Sequence, residues 1–295
     1  YEVGFMSKIT IPGNSILLLE GGSLRGLYTA GALDTLMERE IYFPAVAGVS
    51  AGALNAVNYV AHQPGRSASI NLRYRKDPRY FGPMAAFHGG SLFGLNFMLK
   101  DLSQSIPFDF DTFYHGSQRM VAVATCVQTG KPAYFEKGKT DFDFFESVRA
   151  SASLPLVSVP VRLGKFSYLD GGCSCPIPLH WAQTEGFEKT VIITTRQKGF
   201  RKTPPSQRMI NLYDDFYGRN ALFMATLLTQ EVRYNALMEE IDALEEAGKI
   251  FVLRPADPVD ISRFEKDTDK LLNLYNRGRR EMREQLDALE AYLQK

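Results

Sequence analysis

The chain has 295 residues, of which 45% are hydrophobic and 23% are charged. This balance is typical of a folded globular protein and argues against a disordered or fibrous chain. Lysine and arginine number 34 against 33 aspartates and glutamates, so the formal net charge of +1 provides no global field that would favour nucleic acid or an anionic membrane.

The first predicted elements form two successive strand–turn–helix units. Residues 15–20 are a short apolar run that ends in a glycine turn, and residues 26–39 carry apolar side chains at helical spacing. A second apolar strand at 46–49 turns through 50–52 into a helix of small residues at 53–61. Two such units predict an α/β layer with parallel strands.

The middle of the chain is less regular. Residues 66–114 contain many aromatics, glycines and prolines without a clean period, which indicates an insertion or cap. A β-rich run at 120–126, a turn at Gly130 and a second run at 132–136 predict a hairpin. Residues 191–195 predict another buried strand.

The C-terminal part is predicted to be mainly helical. Apolar residues recur at helical spacing over 211–247, and Gly248 is placed to end that helix. Residues 250–253 predict a last strand, and Ser262 is placed to cap a long charged helix that reaches Gln294. The charged surface pattern of this helix is expected whether it packs on its own domain or on a partner chain. The sequence therefore indicates no oligomeric state.

The second glycine turn has the pattern Gly-x-Ser-x-Gly over residues 48–52. A serine hydroxyl is a poor nucleophile unless it has an exposed position, a base and donors for the oxyanion. A sharp strand-to-helix elbow would expose Ser50, and Gly48 and Gly52 remove the Cβ atoms that would collide across it. The motif is weak alone, but its strand–helix context indicates that Ser50 is the nucleophile of a serine hydrolase.

The first glycine turn reads Gly21-Gly22-Ser23-Leu24-Arg25-Gly26. Consecutive main-chain N–H groups at a helix N-terminus form a nest that binds a phosphate or an oxyanion. Ser23 occupies the second glycine position of the dinucleotide-binding fingerprint, so we favour the oxyanion. Three roles are open for Arg25: orienting the nest, pairing with a lipid phosphate, or a purely structural contact.

The third turn, Asp170-Gly171-Gly172, follows the apolar-to-aromatic stretch 161–169 and could by itself be a plain turn. A glycine nest, a nucleophile elbow and an Asp-Gly-Gly turn in this order resemble the patatin-like phospholipases over residues 15–200. Residues 151–155, Ser-Ala-Ser-Leu-Pro, resemble that family's small-residue segment ahead of the catalytic aspartate.

The resemblance implies a three-layer α/β/α fold with a mainly parallel central sheet and a helical C-terminal extension. The catalytic domain would span 15–200, with 66–114 as its cap, and the extension 201–295 would pack on the same domain. The implied activity is that of a Ser50–Asp170 dyad, which hydrolyses acyl esters of phospholipids or related glycerolipids without histidine and without a cofactor.

In the implied mechanism, Asp170 accepts the proton of Ser50 and returns it to the leaving alcohol. Desolvation would raise the pKa of Asp170 toward the working pH. Main-chain N–H groups around Gly22, Ser23, Leu24 and Arg25 would stabilise the oxyanion.

Two residues depart from the family's pattern. Ser23 stands where the family usually has a third glycine, and its Cβ narrows the allowed backbone angles. Glu20 stands where an aspartate often precedes the nest. We expect it to be an electrostatic or hydrogen-bonding anchor with no catalytic role.

Two other functions compete with this hypothesis. An α/β-hydrolase triad would use Ser50, Asp170 and His180 in the right chain order, but His180 follows Asp170 too closely for another strand–helix unit. A lipid-sensing or partner-binding protein would have no need of a nucleophile, a carboxylate and an oxyanion nest together.

Smaller signals concern the membrane and the compartment. Residues 87–102 could form an apolar lid but are better explained as core packing, and the basic residues between Arg66 and Arg79 are better explained as a solvated face than as a headgroup site. Cys126, Cys173 and Cys175 indicate a reducing compartment and, lacking a second Cys/His pair, no metal site. These residues carry no secretory signal and no apolar run of the ~20 residues that span a bilayer. We expect a cytoplasmic protein with peripheral contact at the membrane.

Overall fold

The computed structural model describes residues 9–103 and 105–295, so that Gln104, within the predicted insertion, lies outside the described residues. The described chain forms an eight-stranded sheet in the order β5-β6-β3-β2-β1-β7-β8, with β4 paired to β3. The strands are β1 (Ser15–Leu19), β2 (Ala45–Val49), β3 (Arg119–Cys126), β4 (Pro132–Glu136), β5 (Val161–Leu163), β6 (Phe166–Asp170), β7 (Lys189–Ile193) and β8 (Phe251–Leu253).

In the part of the sheet ordered β3-β2-β1-β7-β8, neighbouring strands run parallel. Strands β4 and β6 each pair antiparallel with β3, and β5 pairs antiparallel with β6. The helices are α1 (Gly26–Glu38), α2 (Ala51–Val60), α3 (Arg66–Arg73), α4 (Pro83–Gly89), α5 (Leu95–Leu99), α6 (Phe110–His115), α7 (Phe144–Ser151), α8 (Leu179–Thr184), α9 (Gln207–Tyr217), α10 (Ala221–Leu228), α11 (Gln230–Glu246), α12 (Thr268–Glu284) and α13 (Leu286–Gln294).

The sheet is buried on both faces. Leu17 and Leu19 of β1 point into a core shared with α1, α2, α12 and α13, while Ile16 and Leu18 point into a core shared with α8 and α11. This alternation within a fully apolar strand is typical of a parallel sheet that helices cover on both sides. The predicted three-layer α/β/α fold with a mainly parallel sheet is therefore confirmed.

The predicted helix over 211–247 is divided into α9, α10 and α11. The first break falls at 218–220, Gly-Arg-Asn, where glycine and asparagine have low helix propensity. Gly248 follows α11 with a φ of 66°, the left-handed conformation expected of a glycine that ends a helix.

The prediction that Ser262 caps the C-terminal helix is wrong. Asp267 is the N-cap, and its carboxylate accepts hydrogen bonds from the amides of Asp269 (2.9 Å) and Lys270 (3.2 Å). Serine and aspartate are both good N-caps, so sequence preference does not separate them. Residues 254–267 instead form a connection between β8 and α12, which we call the 254–267 loop.

Helix α12 crosses α1 at a pair of glycines. A Cβ atom on Gly31 would lie 2.0 Å from a carbonyl oxygen of α12, and one on Gly278 would lie 2.0 Å from a carbonyl oxygen of α1. The two backbones can approach so closely only because both positions lack a side chain. Two buried hydrogen bonds flank this crossing, Tyr28–Glu281 at 2.8 Å and Tyr275–Asp34 at 2.7 Å.

The predicted cap contains α3, α4, α5 and α6, and its apolar side chains mostly pack inward. Phe93, Phe97 and Met98 are buried in one cluster, whereas Phe87 on α4 is 86% exposed. The predicted solvated basic face is wrong for two residues, Arg66 and Arg75. Both side chains are buried, and main-chain carbonyl oxygens accept hydrogen bonds from their guanidinium groups.

Candidate active site

Ser50 lies at a sharp elbow between β2 and α2. Its backbone has φ 56° and ψ −122°, a strained combination for a residue with a side chain. A Cβ atom on Gly48 would lie 2.6 Å from the backbone of Gly52, and one on Gly52 would lie 2.3 Å from the carbonyl oxygen of Leu19. Both glycines are therefore required by the packing of the elbow, as the motif predicts.

Strand β3 brings Asp170 to the side of Ser50. Val123 pairs with Val49, the residue before Ser50, and the next residue of β3, Ala124, pairs with Asp170 at the end of β6. These pairings place two residues that are far apart in sequence at the same edge of the sheet.

The Asp170 carboxyl group is almost fully buried. Its Oδ1 accepts a hydrogen bond from the Gly172 amide at 2.8 Å, while Oδ2 has no well-aligned hydrogen bond among the described residues. Desolvation raises the pKa of Asp170 to about 6, against the opposing effects of the nearby Ser50 hydroxyl and of the Gly172 amide. A carboxylate with this pKa is a much better base at neutral pH than an exposed one.

Gly171 allows the close approach of this turn to β3. A Cβ atom on Gly171 would lie 2.1 Å from the carbonyl oxygen of Val123. The Asp-Gly-Gly sequence thus has two separate requirements: Gly171 for packing, and the amide of Gly172 for the Asp170 carboxylate.

The glycine nest, residues 21–26, lies between β1 and α1 and beside the elbow. A Cβ atom on Gly21 would lie 3.0 Å from the Cβ of Ser50, and one on Gly26 would lie 2.8 Å from the Cβ of Ala51. Residues Ser23–Arg25 form a single 3₁₀ turn that leads into α1. The N-terminus of α1 and its amide groups therefore lie next to Ser50.

The nest differs from expectation at three residues. Ser23 has a φ of 51°, which a glycine would adopt without strain. The amide of Arg25 donates to the carbonyl oxygen of Gly22 at 3.1 Å, so it is not available as the oxyanion donor that was predicted. This bond closes the 3₁₀ turn, and the amide of Gly26 is likewise directed at the carbonyl oxygens of Ser23 and Leu24. Of the nest predicted over residues 21–26, the amides of Gly21, Gly22, Ser23 and Leu24 stay candidate donors.

Glu20, the residue between β1 and the nest, anchors the nest to neighbouring elements. Its Oε2 accepts a hydrogen bond from the amide of Thr195 at 2.6 Å, and its Oε1 accepts one from the Tyr234 hydroxyl at 2.8 Å. These bonds tie the end of β1 to the end of β7 and to α11. Glu20 has the geometry of an anchor.

Arg25 contacts the 254–267 loop rather than the amides of the nest. Its Nη1 donates to the carbonyl oxygen of Ile261 at 3.5 Å, and the Arg196 guanidinium donates to that of Val259 at 3.0 Å. Burial, together with repulsion from Arg196, lowers the pKa of Arg25 to about 10. Of the three roles left open for Arg25, these contacts fit the purely structural one.

Two cavities meet at Ser50. One is a chamber of about 80 Å³, and the other is a wider cleft of about 660 Å³; Ser23, Ser50 and Leu154 line both. The chamber has an apolar wall made mainly by α1, α2 and the cap, including Leu27, Leu54, Ile70, Phe93, Leu95 and Met98.

No histidine of the described chain lines either cavity. His180 lies on α8 with a side chain that is 68% exposed, and its Nε2 is 2.7 Å from an Oε2 oxygen of Glu240. The structure therefore does not bring His180 together with Ser50 and Asp170.

One residue of the site was not predicted. The Ser151 hydroxyl accepts a hydrogen bond from the Ser50 amide at 2.9 Å and donates one to the carbonyl oxygen of Val123 at 2.5 Å. Two residues later, the carbonyl oxygen of Ser153 accepts from the Asp170 amide at 2.7 Å. The Ser151–Pro155 segment was singled out by resemblance, but only the structure shows that it holds both Ser50 and Asp170.

Within the described ranges, no helix is long and apolar enough to cross a membrane. The same ranges contain no cluster of three or more His, Cys, Asp or Glu side chains that could hold a metal ion.

Comparisons with known proteins extend these observations. The chain is 29% identical over 255 residues to the uncharacterized protein YjjU of Escherichia coli (strain K12), which covers 84% of this chain and 70% of that protein. It is 27% identical over 173 residues to the probable lipid hydrolase 463L of Invertebrate iridescent virus 6, covering 53% of this chain and 59% of that protein.

Among solved structures, VipD from Legionella pneumophila aligns with a TM-score of 0.48 and 13% identity, covering 94% of this chain and 67% of VipD. A domain of unknown function, DUF6363, matches residues 220–294. The family model for patatin-like phospholipases matches residues 17–182, which is more than half of the chain. The chain therefore belongs to the patatin-like phospholipase family.

Proposed function

We propose that the protein is a serine lipid acyl hydrolase, an esterase of the phospholipase A or lysophospholipase kind. Ser50 is the nucleophile and Asp170 is its base. The observation that carries this proposal is the pairing of β3 with both β2 and β6, because it sets a buried carboxylate beside a serine at a strained elbow. The match of the lipid hydrolase from the iridescent virus supports the same class of reaction.

The reaction follows from the atoms in place. Asp170 accepts the proton of the Ser50 hydroxyl as Oγ attacks the ester carbonyl carbon, and the oxyanion receives hydrogen bonds from amides of Gly22, Ser23 and Leu24. Each such donor typically contributes about 2.7–4 kcal/mol to transition-state stabilisation. The proton then passes from Asp170 to the leaving alcohol, and a water molecule deprotonated by Asp170 hydrolyses the acyl-enzyme.

The two cavities suggest how a lipid binds. The apolar chamber suits the part of an acyl chain next to the ester, and the wider cleft suits the glycerol and headgroup, because Ser50 lies where the two meet. A molecule that is apolar at one end and polar at the other would place its ester bond at this junction. A lipid-sensing protein would have no use for a nucleophile, a base and an oxyanion nest in contact, which favours the enzyme.

The remaining parts of the hypothesis follow from it. Residues 15–200 would be the catalytic domain, with 66–114 as its cap, and 201–295 would be an extension packed on that domain. We propose a cytoplasmic location with peripheral contact at the membrane, where the exposed side chain of Phe87 would meet lipid. Nucleic acid has no part in this function.

A fluorophosphonate probe together with hydrolysis of fatty-acyl esters tests the dyad. We expect the probe to label the protein, and Ser50→Ala to abolish both labelling and hydrolysis. Asp170→Asn should lose hydrolysis as well. His180→Ala is the matched control and should retain full activity, since its ring bonds to Glu240 outside the cavities. Loss of activity in His180→Ala comparable to that in Ser50→Ala would overturn the dyad in favour of a triad.

A further inference from the structure

The wide cleft has a cationic lining. Arg25, Arg196, Arg201, Lys202 and Arg263 contribute to its wall, against three acidic residues, Glu20, Asp170 and Glu231. Several of the eight already have hydrogen-bonding partners within the protein. Glu20 is held by Thr195 and Tyr234, and Arg201 pairs with Asp242 at 3.5 Å.

Lys202 and Arg263 stand apart from the other cations. Arg25 and Arg196 donate to carbonyl oxygens of the 254–267 loop and Arg201 pairs with Asp242. Among the described residues, the side chains of Lys202 and Arg263 have neither a hydrogen bond nor a salt bridge of this kind. The ammonium group of Lys202 lies 4.3 Å from the ring centroid of Tyr234, and burial lowers its pKa, as does repulsion from Arg263. An ammonium and a guanidinium that line the same cleft and have no direct partner there can bind an anion together, although the carboxylates of Glu20 and Asp170 lie within electrostatic reach of Lys202.

These two cations also lie within electrostatic reach of the catalytic base. Both Lys202 and Arg263 favour the ionised form of Asp170, which opposes the rise in its pKa caused by burial. An anion held by them would therefore be close to the reacting ester. This position is the one expected of a headgroup in a lipid whose ester bond is at Ser50.

The 254–267 loop, which carries Arg263, is fixed in place by three other arginines. Arg196 donates to the carbonyl oxygen of Val259, Arg25 to that of Ile261, and Arg75 to that of Phe264 at 2.8 Å. These bonds fix the backbone from which the exposed Arg263 side chain extends, so binding an anion costs less conformational entropy than it would from a mobile loop. The loop and Tyr234 both belong to the region that DUF6363 matches, to which no function is attached.

We propose that Lys202 and Arg263 bind the phosphate group of an acyl lipid, and that the C-terminal region thereby selects phosphate-bearing glycerolipids over neutral ones. The inference rests on the proposed acyl hydrolase function, and it assigns to residues 220–294 a role in substrate choice. Lys202 approaches from the connection after β7 and Arg263 from the loop after β8, so the phosphate would join two separate segments.

The test compares two substrates that differ only in the phosphate: a 1-acylglycerol 3-phosphate and the 1-acylglycerol with the same chain, in identical mixed micelles. Assays at pH 8 keep Asp170 ionised in every variant. We expect wild type to favour the phosphorylated substrate in kcat/KM. Lys202→Gln and Arg263→Gln should each reduce that preference by about tenfold, the usual effect of losing one charge-assisted hydrogen bond. Hydrolysis of the neutral ester, which has no phosphate, should fall by much less than hydrolysis of the phosphorylated one.

Two control variants separate the effect of the charge on substrate preference from effects on folding and from the effect of its position. Lys202→Arg should keep most of the preference, and Arg208→Gln, an exposed position on α9 outside the cleft lining, should keep all of it. Glycerol 3-phosphate distinguishes the source of the anion. Competitive inhibition that Lys202→Gln and Arg263→Gln both weaken supports a headgroup site at these residues, whereas inhibition that is noncompetitive, or that neither variant weakens, would indicate a site for a free phosphate elsewhere and overturn the proposal.

The inference and the function fail in different ways. If wild type hydrolyses neither ester, the acyl hydrolase proposal is wrong. If it hydrolyses both with equal kcat/KM, or if the variants lower both rates together, the hydrolase stands and the phosphate site does not.

Discussion

Replacing Asp170 by asparagine should inactivate the protein and stabilise it. An aspartate with a pKa of about 6 in the folded state, instead of its ordinary value of 3.8, destabilises the fold by about 3 kcal/mol once it is fully ionised. Asparagine has nearly the same shape and carries no charge, and its Oδ1 can keep the hydrogen bond from the Gly172 amide. The catalytic base would thus lower the stability of the native fold.

The pH dependence isolates this effect. As the pH rises from about 4, the unfolded chain loses the Asp170 proton first and the native protein loses it near pH 6, so this group lowers stability across that window and not beyond it. At pH 5 about half of the full destabilisation of about 3 kcal/mol is present. The stability difference between Asp170→Asn and wild type should therefore grow by about 1.4 kcal/mol between pH 5 and pH 8.

Urea unfolding followed by the fluorescence of the single tryptophan, Trp181, measures this difference at each pH. Other titrating groups are common to both proteins and cancel in the comparison. Asp141→Asn, at an exposed position, controls for the loss of a negative charge as such. A difference that is the same at pH 5 and pH 8 would refute the reasoning, since it would mean that burial does not raise the pKa of Asp170.

Three further changes test the surroundings of the site. Ser151→Ala removes the partner of the Ser50 amide and of the Val123 carbonyl oxygen, so we expect the free energy of unfolding to fall by about 1–3 kcal/mol per buried group. We also expect a lower kcat at unchanged KM, and an unchanged kcat would contradict a positioning role. Ser23→Gly relieves a positive φ and should raise Tm without loss of esterase activity, which a lower Tm would exclude. Gly278→Ala drives a Cβ into α1 and should lower stability by about 3 kcal/mol in denaturant unfolding, whereas Gly13→Ala, with open space around it, should have little effect; equal effects would argue against the helix crossing.

Local patterns were sufficient to predict the elbow and the nest. The strand, turn and helix around Ser50 are encoded within about 20 residues, and the glycines at 48 and 52 are needed by contacts that form inside that unit or with the adjacent strand. The approach of Asp170 depends instead on strand register. It was predicted only through a resemblance, because no local pattern says which residue of β3 will pair with it.

No pattern in the sequence indicated that these cations would line one cleft. Lys202 and Arg263 are separated by 61 positions, and each resembles an ordinary surface charge in its own segment. The wrong N-cap at Ser262 has the same origin. The 254–267 loop is held by arginines from three distant segments, and local capping preferences cannot register those contacts.

The position of β8 has a consequence for synthesis. This strand completes the sheet beside β7, although it lies far beyond β7 in the chain, and α12 covers α1 later still. A nascent chain that has emerged only as far as β7 therefore presents an unpaired apolar strand edge and an uncovered helix face. Such surfaces favour association between chains, so we expect folding on the ribosome to depend on chaperone protection until the last helices emerge.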